Sequence, residues 1–212
     1  MGIYEFAGCV VSYEPLYGLL RRRMETYRSD TERQPDITLD GTKEDYEKLR
    51  KQYPHLSIEE CEYSCAGAEF YMKLLKHQGF MIHASAVEKE GKAYLFSAPS
   101  GTGKSTHAQL WRQTFKGEPI RIINDDKPAV CLQNGVFYAC GTPFSGKTDK
   151  NENRKAPIQG LCMLHRGKTN KIQKITSGEA LPLILPQTLF YGDEEETNLL
   201  LSFLDRFLQS VP

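Results

Sequence analysis

Residues 98–106 read Ala98-Pro99-Ser100-Gly101-Thr102-Gly103-Lys104-Ser105-Thr106, and this run constrains the fold more than any other. It fits the pattern G-x-x-x-x-G-K-[ST] except that Ala98 stands at the first glycine. A loop of this kind wraps polyphosphate oxygens with backbone N–H groups, and its glycines supply the positive φ that the tight path needs. Lys104 then reaches the β- and γ-phosphates, and the Ser105 hydroxyl helps hold Mg²⁺. Ser100, Gly101, Thr102, Gly103 and Thr106 complete the expected nucleotide contacts. Residues 92–97 predict a buried strand leading in. Residues 106–115 predict a helix leading out, with Leu110, Trp111 and Phe115 on its buried face. The start of that helix adds a partial positive charge to the anion site.

What precedes the loop narrows the architecture. Residues 81–88 predict one strand, and Lys89-Glu90-Gly91 predicts a turn. Two strands joined so closely are antiparallel neighbours. Common phosphate-loop folds instead reach their other strands through helical crossovers, which gives a parallel sheet. The expected fold class is therefore α/β with a mixed sheet.

Residues 1–79 predict a small α+β segment packed on the core, and residues 80–212 the nucleotide-binding catalytic domain. In the first part the pattern gives a strand over 4–13, a helix over 16–27, a short strand over 36–39, and a helix over 42–52 capped by Thr42 with Asp45. A further helix runs over 60–77. In the second part a strand over 120–124 ends in Asp125-Asp126. Asn134-Gly135 marks a hairpin between 129–133 and 136–140. A second pair of strands is expected over 160–165 and 171–176. Thr176 with Glu179 can cap a helix over 179–185, and 198–209 predicts the last helix.

Lys plus Arg equals Asp plus Glu, 27 each, so there is no electrostatic case for a nucleic acid or an anionic membrane as partner. No apolar stretch is long enough to span a bilayer, and the first residues lack the marks of a signal peptide. The basic run Arg21-Arg22-Arg23 reads as a solvated helix face. The six cysteines form no C-x-x-C pair, so they read as reduced thiols of a cytoplasmic protein rather than as a metal site.

Phosphoryl transfer needs a carboxylate for the metal and often a second to orient or deprotonate the attacking hydroxyl. Asp125 and Asp126, at a strand end beyond such a loop, supply both. Adjacent side chains on a strand point apart, so the two should differ in task. His83, on the strand paired with the loop strand, is a third candidate. Lys147, Arg154 and Arg166 are candidates for the acceptor or γ-phosphate side.

The run MIHASAVEKEGKAYLFSAPSGTGKST followed by INDDKPAV resembles the catalytic domain of HPr kinase/phosphorylase, and more closely its small related kinases. The resemblance covers roughly residues 70–185 and implies the fold shared with ATP-dependent phosphoenolpyruvate carboxykinase. It implies Asp125 as general base, Asp126 with Ser105 as metal ligands, and His83 beside the first aspartate. The activity it implies is ATP- and Mg²⁺-dependent phosphorylation of a hydroxyl on a small molecule or short peptide. A protein serine kinase/phosphorylase of HPr type and a non-catalytic nucleotide-binding module stay open as alternatives. HPr kinases form oligomers, so a homo-oligomer is also implied. Three departures stand out and weaken HPr itself as the expected substrate: Ala98 at the first loop glycine, Thr106 where HPr kinases usually carry glutamate, and no evident counterpart of the family's long signature segment for protein-substrate recognition.

Overall fold

The computed structural model describes residues 1–115, 117–189 and 192–212. The chain opens with a hairpin, β1 (Gly2–Phe6) and β2 (Cys9–Tyr13), rather than the single strand expected over 4–13. Its turn is Ala7-Gly8, with both residues at positive φ (53° and 81°). Such a turn has the twist that two antiparallel strands need, but it is normally signalled by Asn-Gly or Asp-Gly. Alanine in the first position hid it. Helix α1 (Gly18–Met24) follows, then β3 (Ile37–Thr38), which pairs parallel with β2. Capping boxes start both α2 (Lys43–Gln52) and α3 (Ile58–Leu74), from Thr42 with Asp45 and from Ser57 with Glu60.

The second part supplies β4 (Gly79–Met81), β5 (Ala84–Lys89), β6 (Lys92–Ser97), α4 (Lys104–Thr114), β7 (Arg121–Asn124), β8 (Ala129–Gln133), β9 (Val136–Cys140) and β10 (Lys155–Met163). Helices α5 (Ser177–Ile184) and α6 (Glu194–Ser210) end the chain, α5 with the expected Thr176–Glu179 box. The large sheet has the order β4-β8-β9-β10-β6-β5-β7, and among the described residues only β6–β10 is parallel. This is a mixed α/β fold. Glu90-Gly91 and Asn134-Gly135 make the two expected hairpins, again with paired positive φ.

The strand expected over 81–88 is bent. Met81 faces Ala129 in β8, whereas Ala86 faces Asn124 in β7. Between them the Ile82 N–H donates to the Pro128 carbonyl (3.3 Å) and the Ala84 N–H to that of Asp126 (3.0 Å). One antiparallel register runs through the bend on both sides. The sheet therefore curls until its end strands, β4 and β7, become chain continuations of β5 and β8.

The expected strand over 171–176 is absent. Those residues are exposed, with Ile172 at 88 %. Over Gly160–Met163 one side of β10 is taken by β6, and on the other the Leu161 N–H donates to the Pro212 carbonyl (2.8 Å).

Side chains alternate across the sheet with the period of two that strands impose. Ala84, Ala86, Leu95, Val130 and Leu132 face a core filled by Ile184, Leu200, Leu204 and Phe207 of α5 and α6. Val87 and Phe96 face α4 through Ala108 and Trp111. Leu110 is half exposed, because the buried face of α4 follows Lys104, Ala108 and Trp111 instead. Ala129 and Cys131 join Phe6, Phe70, Leu74 and Phe144, a cluster that draws on both sides of Gly79. No helix among the described residues is long and apolar enough to cross a membrane.

Candidate active site

Register alone gathers the candidate residues. Ala84 and Met163 both face Ser97, so the start of β5 and the ends of β6 and β10 share one edge. Strand β7 leaves the sheet at the same edge, since Asn124 faces Ala86. His83, the loop after Ser97, Asp125–Asp126 and Arg166 are thereby brought together.

Glycine freedom is required in the loop, where Gly101 has φ 76° and Gly103 φ 118°. A Cβ there would meet no atom within 4 Å, so conformation rather than space demands glycine. The amides of Gly103, Lys104, Ser105 and Thr106 find no acceptor among the described residues. They are the unsatisfied donors that open any helix. Lys104 is not solvent-facing. It is 7 % exposed, and its Nζ donates to the Ala98 carbonyl (2.9 Å), which folds it back over the loop. Burial lowers its pKa, partly offset by the Asp126 carboxylate. Arg166 also reaches this loop, donating to the Gly101 carbonyl at 2.6 Å. Ser105 and Thr106 are exposed on the first turn of α4.

The adjacent aspartates have different surroundings. Asp125 is 4 % exposed, and its carboxylate accepts from the Gly146 N–H (2.8 Å) and the Thr148 hydroxyl. Its own N–H donates to the Lys150 carbonyl. Asp126 is more open, and its Oδ1 lies 3.2 Å from His83 Nε2. Burial pushes its pKa up, but the His83 hydrogen bond and the charges of Lys127 and Lys104 outweigh this and hold it below the usual carboxylate range. The histidine thus stands against Asp126, not against Asp125. Its other ring nitrogen, Nδ1, lies 3.1 Å from Gln187 Oε1, a partner that no sequence signal revealed.

Asn124 sets this arrangement. Fully buried, it accepts from the Asp126 and Lys127 amides (3.0 and 2.8 Å) through Oδ1. Its Nδ2 donates to Thr142 and Phe144. The two amides are satisfied by a side chain rather than by a neighbouring strand, and the chain turns sharply there.

The loop over residues 144–149 that covers Asp125 is held from the first part of the chain. Arg23 donates to the Ser145 and Gly146 carbonyls, both at 3.1 Å, and pairs with Asp149 at 3.2 Å. Its guanidinium lies 4.8 Å from the centre of the Tyr63 ring, and the Tyr63 hydroxyl donates to the Ser145 carbonyl. Arg23 is therefore no part of a solvated face, although Arg21 and Arg22 are exposed. Its spacing from Leu20 and Tyr27, both buried, was the available signal.

Lys147 lies exposed in this loop, between the two residues that bind Asp125. Arg154 does not join the site. It pairs with Glu88 (2.6 Å) and Glu152 (3.3 Å), and Glu88 faces Arg121 at the end of β7 away from Asp125. The expected closing residue is thus tied into an ion-pair network near the Glu90-Gly91 turn, at the opposite end of the hairpin from the site.

No protein-family model matches the chain, and no curated protein matches it. What this edge of the sheet can do follows from its own chemistry. It combines four free amides at a helix start, a lysine folded over them, an arginine beside them, and a carboxylate–imidazole pair.

Proposed function

We propose that the chain is an ATP- and Mg²⁺-dependent kinase that transfers the γ-phosphoryl group to a hydroxyl of a small molecule or short peptide. The carrying observation is the set of unpartnered loop amides with Lys104 above them, at the same sheet edge as the Asp126–His83 pair. Such a loop is an anion site, and the pair beside it supplies what phosphoryl transfer asks of side chains. We read the architecture as that of the HPr kinase catalytic domain, supported by the hairpin that enters the loop directly. All six cysteines are free, which supports a cytoplasmic setting. A homo-oligomer belongs to the same reading. Formal neutrality argues against a nucleic-acid partner.

The loop amides and Lys104 would hold the β- and γ-phosphates, with Arg166 at the flank. The residues fit a magnesium ion: Ser105 Oγ is exposed, and Asp126 keeps Oδ2 free of any hydrogen bond among the described residues. Both are hard oxygen donors of the kind this ion takes. When bound, the metal supplies neutralisation of phosphate charge. Asp125 acts by position, since both its oxygens are spent on the 144–149 loop. The acceptor proton passes to the Asp126–His83 pair, in which Nε2 lies against Asp126 Oδ1 and Gln187 fixes the ring through Nδ1.

The experiment is transfer from γ-labelled ATP across polyols, amino acids, nucleosides and peptides, with a titration of ATP itself. Lys104→Ala is expected to abolish nucleotide binding or turnover in a folded protein. Wild-type turnover in that variant would sink the proposal.

A further inference from the structure

Lys127, like the exposed Lys147, is a cation of this edge that the mechanism above leaves unused, and it is the one set directly beside Asp126. Its backbone is fixed on both sides. The N–H donates to Asn124 Oδ1 (2.8 Å), and the carbonyl accepts from the Tyr71 and Thr142 hydroxyls. The side chain therefore leaves a rigid turn directly beside Asp126. Its ammonium lies 3.9 Å from Asp126 Oδ2 and 5.3 Å from the centre of the Tyr63 ring.

That placement is poor for a lysine whose task is to neutralise Asp126. A charge-assisted hydrogen bond runs at about 2.7–2.9 Å. Lys127 Nζ stands farther off and donates no hydrogen bond among the described residues. Three N–H donors are thus held over an aromatic face at the edge of the site, 38 % exposed along the side chain. Lys104, by contrast, spends a donor on Ala98 within the loop. Both ammonium groups act on Asp126 through their charge, one from the nucleotide loop and the other from beside the Tyr63 ring. Gly146 packs so near that a Cβ on it would lie 3.2 Å from Asp126 Cβ.

We propose that Lys127 is a specificity residue that binds an anionic group, carboxylate or phosphate, carried by the acceptor alcohol. This rests on the kinase reading for the identity of the acceptor. An anchored ammonium at one end fixes which hydroxyl points at the transferred phosphoryl group. It also disfavours neutral polyols, which leave the ammonium unpaired once water is displaced.

The test titrates inorganic phosphate and, separately, acetate onto the chain saturated with Mg²⁺ and a non-hydrolysable ATP analogue. The analogue fills the glycine-rich loop, so any saturable anion binding reports a second site. At least one anion is expected to bind. Lys127→Met is expected to weaken it at least tenfold, with analogue affinity changed less than twofold, and Lys127→Arg to retain it. Phosphate alone indicates a phosphorylated acceptor, and acetate alone a carboxylated one. No second anion site, or one unchanged by Lys127→Met, overturns the proposal. Failure of the analogue to bind would instead sink the kinase reading. The anion titration on the chain alone, compared between wild type and Lys127→Met, would then still decide the role of Lys127.

Discussion

Replacing Arg23 with methionine keeps the aliphatic stem against Tyr63 and deletes the guanidinium. The side chain is 10 % exposed and makes two hydrogen bonds to carbonyls and one ion pair. Hydrogen bonds from a charged donor contribute about 1.5–3 kcal/mol each. The two share one group and are not additive, so together they amount to about 3 kcal/mol. Asp149 is half exposed, so its ion pair adds at most about 1 kcal/mol. For a chain of this size 1 kcal/mol shifts Tm by about 2–4 °C, so a loss of about 3–4 kcal/mol predicts a fall of about 6–16 °C for Arg23→Met. Arg22→Met, on the exposed side of α1, should stay within about 0.5 kcal/mol of wild type. The 144–149 loop should also loosen over Asp125, seen as faster amide exchange at Gly146 and as a lower kcat with nucleotide affinity kept. A Tm within 2 °C of wild type (well under the ~6 °C floor set by the hydrogen-bond magnitudes) together with unchanged exchange at Gly146 would refute the role given to Arg23.

The aspartates should separate. Asp125→Asn turns an amide N–H₂ toward donors that now meet a carboxylate, so it should cost about 1–3 kcal/mol in thermal unfolding. Asp126→Asn should lower Tm by less than Asp125→Asn and weaken the Mg²⁺ dependence of turnover; equal Tm losses in both would contradict the environments described. Asp126 has a folded pKa below its unfolded one, so its stabilisation is present above about pH 4 and lost as pH falls through the folded value. The acid-side fall in Tm should therefore be shallower in Asp126→Asn, and identical slopes would remove that ion network from the stability argument. Asn124→Ala strands the Asp126 and Lys127 amides and should cost about 3 kcal/mol by denaturant unfolding. A loss under 1 kcal/mol, the scale of one ordinary hydrogen bond, would show that the turn does not depend on it.

Local signals carried far. The capping boxes, the Glu90-Gly91 and Asn134-Gly135 turns and the glycine-rich loop are short-range chemistry, and each is written in adjacent residues. The errors came where a partner elsewhere in the chain decides. Residues 171–176 alternate like a strand, yet the side of β10 away from β6 is met at Leu161 by the C-terminal Pro212 carbonyl. Arg23 looked like its neighbours until the helix face it shares with Leu20 met a loop more than half the chain away. Gln187, which faces His83 from the helical turn after α5, left no local pattern at all.

The curl of the large sheet makes the site a product of completed folding. Ile82 and Ala84 find Pro128 and Asp126 only after the chain has passed through the loop, α4 and β7 and come back. Such pairings carry a loop-closure cost before any contact repays it. Neither half of the bent ladder holds His83 against Asp126 by itself. A partly folded chain can own the glycine-rich loop and its helix, which are local, while the acid–base pair is still apart. The juxtaposition on which the proposed chemistry relies is thus a product of ladder closure rather than of loop formation.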